Sequence, residues 1–220
     1  AYRCRSPLHS RTPWRTGGMR RKTWEQPTNR DTVTRMAAVG KGDGSRGTDN
    51  TNSAVTSDDI DGFAVAVVRE ETRWTVTALE PSALTDLADA ERQLRALRAT
   101  SAVFGLLDVD DEFFIIVRPA PGGPQLLLSD ATAAVDYDVA VDVLDALNVE
   151  VPDLDPDDID DIEPWEEGDL GVLADLGLPD AVLSVIVGDT DLYADEQVGM
   201  IAARLGFAEQ LAKVLDTLGR

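Results

Sequence analysis

The sequence predicts an α+β protein: an antiparallel five-stranded sheet with two helices in the order ββαβββα, followed by a small all-α unit. Three observations predict it. Short apolar runs are joined by tight polar turns, so neighbouring strands pair antiparallel. Two stretches with helical spacing interrupt those runs. From residue 169 onward only short helical pieces remain, separated by Gly177, Gly188 and Gly206 at positions where helix stops belong.

The elements follow in chain order. Residues 61–68 read as a strand, Arg69–Arg73 as a turn, and 74–79 as a second strand with Trp74, Val76 and Ala78 on one face. Pro81 opens a helix to about Arg98, with Leu84, Leu87, Leu94 and Leu97 on one stripe; Ser82 or Asp86 is suited to cap it. Two dense apolar runs, 102–109 and 112–120, meet at Asp110-Asp111, and a further strand at 125–129 follows the turn Pro121-Gly122-Gly123-Pro124. These runs are apolar on both faces, so the sheet is either covered on both sides or offers one face to a partner. Asp130 then caps a helix to about Leu147, buried through Ala133, Ala134, Tyr137, Val141 and Leu144. The final pieces are Leu170–Leu176, Pro179–Val187, Ala194–Leu205 and Phe207–Leu218.

Charge divides the chain differently. Of 20 Lys+Arg and 41 Asp+Glu, residues 1–57 hold 11 basic and four acidic residues, so residues 58–220 hold nine basic and 37 acidic and carry −28. The first segment is rich in Gly, Thr, Ser, Asn and Arg and poor in large aliphatics; it cannot offset its ordering entropy and reads as a disordered basic leader. It has no apolar core of a secretory signal, and Met36 reads as a start within it. Residues 145–169 hold 12 acids and no base, with Pro152, Pro156 and Pro164 blocking regular structure. The division is therefore a leader at 1–57, an α+β domain at 58–149, an acidic linker at 150–168 and a small helical domain at 169–220.

Composition removes most chemistries. His9 and Cys4 are the single histidine and cysteine, so from residue 58 onward nothing supplies a Ser-His-Asp or Cys-His machinery or a zinc, iron or haem ligand of those types. Lys213 is the sole lysine there. Carboxylate chemistry remains. The densest cluster is Asp108, Asp110, Asp111 and Glu112 at the predicted hairpin tip, which reads either as a Mg²⁺ or Ca²⁺ site with paired acids or as a solvated turn. The run Asp153, Asp155, Asp157 and Asp158 departs from a calcium loop, because Asp158 stands where Gly is needed and Pro164 where a bidentate Glu is needed. Gly40, Gly42 and Gly44 lack the strand and helix of a phosphate cradle. No cofactor is expected, and no run of apolar residues is long enough for a membrane span.

Six stretches carry a resemblance. They are Asp61-Gly-Phe-Ala-Val; Ala78-Leu-Glu-Pro-Ser-Ala-Leu-Thr-Asp-Leu; Val103-Phe-Gly-Leu-Leu-Asp-Val-Asp-Asp-Glu-Phe-Phe; Leu127-Leu-Ser-Asp-Ala-Thr-Ala-Ala; Gly168-Asp-Leu-Gly-Val-Leu-Ala-Asp-Leu-Gly-Leu-Pro; and Asp191-Leu-Tyr-Ala-Asp-Glu-Gln. In this order they resemble the bacterial tRNA adenosine deaminase-associated proteins, from about Asp58 onward. The resemblance implies a tRNA adenosine deaminase as partner and a cytoplasmic location, and it carries over no catalytic residue. A zinc deaminase needs His and Cys ligands, so the chain is not itself the deaminase. Separately, the order ββαβββα resembles that of roadblock-type dimerisation modules, which implies a homodimer through the sheet face.

Three readings follow. The first is a non-catalytic acidic adaptor that docks on a basic surface through Asp153, Asp155, Asp157, Asp158, Asp160, Asp161, Trp165, Glu166 and Glu167. It makes no direct contact with nucleic acid, whose phosphates repel it. In this reading Trp165 is an anchor; otherwise it folds back on its own domain. The second is a carboxylate enzyme or divalent-metal domain at Asp108–Glu112. The third is a self-associating structural module.

Overall fold

The structure is a computed structural model and describes residues 60–99, 102–155 and 162–220. The leader, with Cys4, His9 and the glycine run at 40–44, lies outside the described residues.

The strands are β1 (Gly62–Glu70), β2 (Arg73–Ala78), β3 (Ala102–Val109), β4 (Phe113–Arg118), β5 (Gln125–Leu128) and β6 (Glu167–Gly168). They form one antiparallel sheet in the order β2-β1-β3-β4-β5-β6. The helices are α1 (Leu87–Ala96), α2 (Asp138–Leu147), α3 (Asp180–Val187), α4 (Ala194–Leu205) and α5 (Ala208–Leu218). The α+β class stands. The sheet, however, has six strands where the sequence suggests five, because the end of the acidic stretch pairs Gly168 with Leu127 and Glu167 with Leu128. A two-residue Glu-Gly strand leaves no hydrophobic alternation to read, yet it covers the backbone groups that would make β5 an open edge.

The apolar character of both faces is explained by period 2. Val65 and Val67 of β1, Phe104 and Leu106 of β3, and Phe114 and Ile116 of β4 point to one side, where they share a core with Leu183, Ile186, Val198, Ile201 and Phe207 of the C-terminal helices and their loops. Leu107, Val109, Ile115 and Val117 point to the other, against Leu94 of α1 and Val139, Val143 and Leu144 of α2. Both faces are thus covered by the chain's own helices. The central strands offer no bare face, while the edge strand β2 keeps Arg73, Thr75, Thr77 and Ala78 exposed. The helices of residues 169–220 share their core with the sheet, and Phe207 sits in a ring cluster with Trp74 and Phe104 at centroid distances of 5.3 and 6.1 Å. Across the same layer boundary Arg118 of β4 holds Asp175 through two bonds of 2.5 and 2.7 Å and donates to the Val172 carbonyl at 2.8 Å.

Two helices begin later than their apolar stripes suggest, for the same reason. Pro81–Leu84 is a 3₁₀ turn, and Asp86 accepts from the Asp89 N–H at 3.0 Å to cap α1 at Leu87. Asp130 accepts from the N–H and hydroxyl of Thr132, both at 2.8 Å, so a 3₁₀ turn at Thr132–Val135 precedes α2. The piece expected at Leu170–Leu176 is reduced to a 3₁₀ turn at Ala174–Leu176. Among the described residues no helix is long and apolar enough to cross a membrane.

Candidate functional site

The site is built on the β3–β4 turn. Asp110 and Asp111 both have positive φ, 53° and 57°, and the Glu112 N–H donates to the Val109 carbonyl at 3.0 Å, the pattern of a two-residue hairpin turn with both central residues left-handed. Two aspartates in that conformation are costly beside the usual glycine. Their side and main chains offset it with contacts. The Asp110 carboxylate accepts from the Asp61 N–H at 2.6 Å and from the Tyr137 hydroxyl at 2.8 Å, and the Asp110 N–H donates to the Asp61 carbonyl at 2.5 Å. Tyr137 also donates to Glu112 at 3.2 Å. Burial first, then these carboxylates, pushes the Tyr137 phenol above its ordinary pKa. On the other side the Asp111 carbonyl accepts from the Ala194 N–H at 3.1 Å, fixing the start of α4 over the turn.

The four acids that lie together in sequence are therefore divided by the fold. Asp110 and Glu112 turn toward Tyr137 at the start of α2, while Asp108 and Asp111 lie with Asp195 of α4. Among the described residues no group of three or more His, Cys, Asp or Glu side chains is placed to hold a metal ion. The divalent-metal reading of Asp108, Asp110, Asp111 and Glu112 has no shared ligand geometry to rest on.

Asp108 is the unusual member. It is wholly buried on the face it shares with Phe104 and Leu106, and neither carboxylate oxygen receives a hydrogen bond. Burial pushes its pKa up to about 8, helped by the neighbouring carboxylates of Asp111 and Asp195; Arg220 pulls the other way. The backbone is close-packed here too. A Cβ on Gly62 would run into the Asp108 carbonyl, so β1 approaches β3 this closely only because residue 62 is glycine.

Beside this carboxyl lies an open cleft of about 580 Å³. Asp61, Asp111, Asp195 and Arg220 supply its charge, and Phe63, Leu211, Leu215 and Leu218 its apolar wall. Arg220 is ion-paired with Asp61 across the cleft. Sequence reasoning reached Asp108 and Asp111 but missed Asp61, Asp195 and Arg220. Asp61 reads there as a strand start and Asp195 only as part of the last stretch of the resemblance, and only the tertiary fold brings positions so far apart together.

The acidic stretch is placed in part. Asp153 and Asp155 are exposed; Asp157, Asp158, Asp160 and Asp161 lie outside the described residues. Trp165, Glu166 and Glu167 are half-buried. Trp165 packs against the core formed with α1 and α2, and its carbonyl accepts from the Ala131 N–H at 2.8 Å, so this end of the stretch folds back on its own domain.

The family described as Rv3753c-like tRNA adenosine deaminase-associated protein matches residues 62–208, which take in the whole sheet and the turn. The chain belongs to that family. A curated relative, Protein Rv3753c of Mycobacterium tuberculosis (strain ATCC 25618 / H37Rv), is 63% identical over 164 residues, covering 74% of this chain and 93% of the relative. No solved structure matches. Within the Rv3753c-like family, then, the fold seen here is an antiparallel sheet with helices on both faces.

Proposed function

We propose that the protein is a non-catalytic acidic adaptor that docks on a basic surface of a partner, the partner being a tRNA adenosine deaminase and the surface the one that otherwise receives tRNA. The observation that carries this reading is the charge from residue 58 onward, nine basic against 37 acidic residues. Such a body is repelled by nucleic acid and attracted to proteins that bind it. Two further observations support it. The family description names association with the deaminase, and from residue 58 onward no histidine or cysteine supplies the ligands of a zinc deaminase. The docking surface in this reading is the acidic stretch, with Asp153, Asp155, Asp157, Asp158, Asp160 and Asp161 as its charges; Glu166 and Glu167 flank it. Trp165, half-buried against its own core, positions the end of the stretch.

Co-purification of the two proteins tests it. At about 50 mM salt the complex forms, and at about 500 mM it is lost, because exposed charges are screened over less than about 10 Å above 0.1 M. Absence of a complex at low salt, or a complex indifferent to salt, removes the reading.

A further inference from the structure

The sheet is closed at one edge and open at the other. β6 covers β5, but nothing among the described residues pairs with the outer side of β2. The Leu79 N–H donates to the Ala64 carbonyl at 2.8 Å, and the register of β2 on β1 runs unbroken from there, so Arg73, Thr75 and Thr77 turn their backbone groups to β1. The N–H and C=O groups of Trp74, Val76 and Ala78 therefore point outward. The strand has none of the usual edge protections: no proline, no lysine and no bulge. We propose that a second copy of this chain pairs antiparallel with β2 about Val76, joining the two six-stranded sheets into one.

Charge and shape select a second copy as the occupant. From residue 58 onward the chain carries −28, yet residues 72–79 hold Arg73 and no acid. A basic partner gains little from such an edge, whereas another acidic body approaches there with least repulsion. Antiparallel pairing about Val76 sets the Arg73 end of each strand against the Glu80 end of the other, and both side chains are exposed. Arg73 has no ion-pair partner among the described residues. On the exposed side Thr75 lies opposite Thr77 of the other copy, a β-branched pair of the kind that stabilises neighbouring strands. On the buried side Val76 meets its own counterpart, and the half-buried Trp74 lies opposite Ala78, whose small side chain leaves room for the ring. Symmetry ends the assembly at two copies, because pairing consumes both open edges and β6 covers the outer ones. The acidic stretch runs into β6, so the dimer keeps one stretch at either outer edge.

Sedimentation equilibrium on the full chain, from about 1 to 200 μM, tests it. A reversible monomer–dimer equilibrium is expected. It should tighten between about 50 and 500 mM salt, because screening weakens the repulsion between two acidic bodies. Ala78→Pro deletes an outward N–H without touching the bonds to β1, and should weaken dimerisation about tenfold or more. A mixture of two variants reads the register. With Cys4→Ser in both, chains carrying Thr75→Cys and chains carrying Thr77→Cys should form a disulfide-linked dimer under mild oxidation, since opposed positions on the ladder bring the sulfurs within reach. Neither variant should form it alone. The mixture decides even if Ala78→Pro fails to fold. A monomer throughout the range, an affinity unchanged in Ala78→Pro, a dimer lost at high salt, or crosslinking no greater in the mixture than in the single variants overturns the proposal. The expected salt dependence is opposite to that of the adaptor complex, so the dimer and the adaptor surface fail or stand separately.

Discussion

Asp108 gives the protein a dependence of stability on pH whose sign follows from its burial. The unfolded chain ionises this residue near the ordinary carboxylate value, about 3.9, whereas the folded chain holds the proton until about pH 8. Between those values the folded state binds the extra proton. Stability contributed by protonation is therefore full below the unfolded value and declines as pH rises, by up to about 1.4 kcal/mol per pH unit. From residue 58 onward no histidine or cysteine titrates in the same window. The urea midpoint should accordingly fall between about pH 5.5 and pH 8, and Asp108→Asn, which keeps the shape and removes the charge, should flatten the slope. A variant with an undiminished slope would show that another group is responsible. The sequence contained part of this: alternation along 104, 106 and 108 already puts the carboxyl on the side of Phe104 and Leu106. What it did not contain was the neighbourhood, because Asp195 and Arg220 reach that side only after α4 and α5 fold across it.

At the scale of the element, the strands were legible wherever side chains alternate, and β1 through β5 lie within a residue or two of their apolar runs. The exception is β6, whose two residues advertise charge and flexibility while serving as an edge. Gly168 makes the edge fit, with φ at +116° and a position where a Cβ would meet the Leu126 carbonyl. Gly168→Ala should cost more than about 1 kcal/mol, and hydrogen exchange should show the Asp169 amide, which donates to Leu126 at 2.8 Å, losing its protection. Normal protection in that variant would mean that β6 does not depend on the glycine. Helix starts were harder to read because 3₁₀ turns at Pro81–Leu84 and Thr132–Val135 come first, with Asp86 capping α1 only at Leu87 and Asp130 bonding Thr132 into the second turn. The docking of α5 is simpler. Phe207 is wholly buried between Trp74 and Phe104, and Phe207→Ala should lower stability by about 3–5 kcal/mol in urea unfolding, with a red shift of Trp74 emission as the ring becomes wet.

For the molecule as a whole, one sheet belongs to two cores, and that arrangement decides how it should unfold. The sequence divides the body at its acidic stretch into an α+β domain and a helical domain, since twelve acids and three prolines look like a linker. Pattern alone cannot reveal that the helices beyond the stretch complete the sheet's second face, because a helix stripe shows that it is buried without showing against what. Val65, Val67, Phe104, Leu106, Phe114 and Ile116 would lose their cover without those helices, so neither part keeps its apolar surface from water alone. We expect a single cooperative transition. Trp74 reports the core on the side of the C-terminal helices and Trp165 the core on the side of α1 and α2. With Trp14 and Trp24 replaced by Phe, and one of the two reporters replaced in turn, urea curves followed by fluorescence and by far-UV circular dichroism should coincide. If the Trp165 curve instead holds a folded baseline while the Trp74 environment is lost, residues 169–220 behave as an independent domain and the shared core does not bind the two parts into one folding unit.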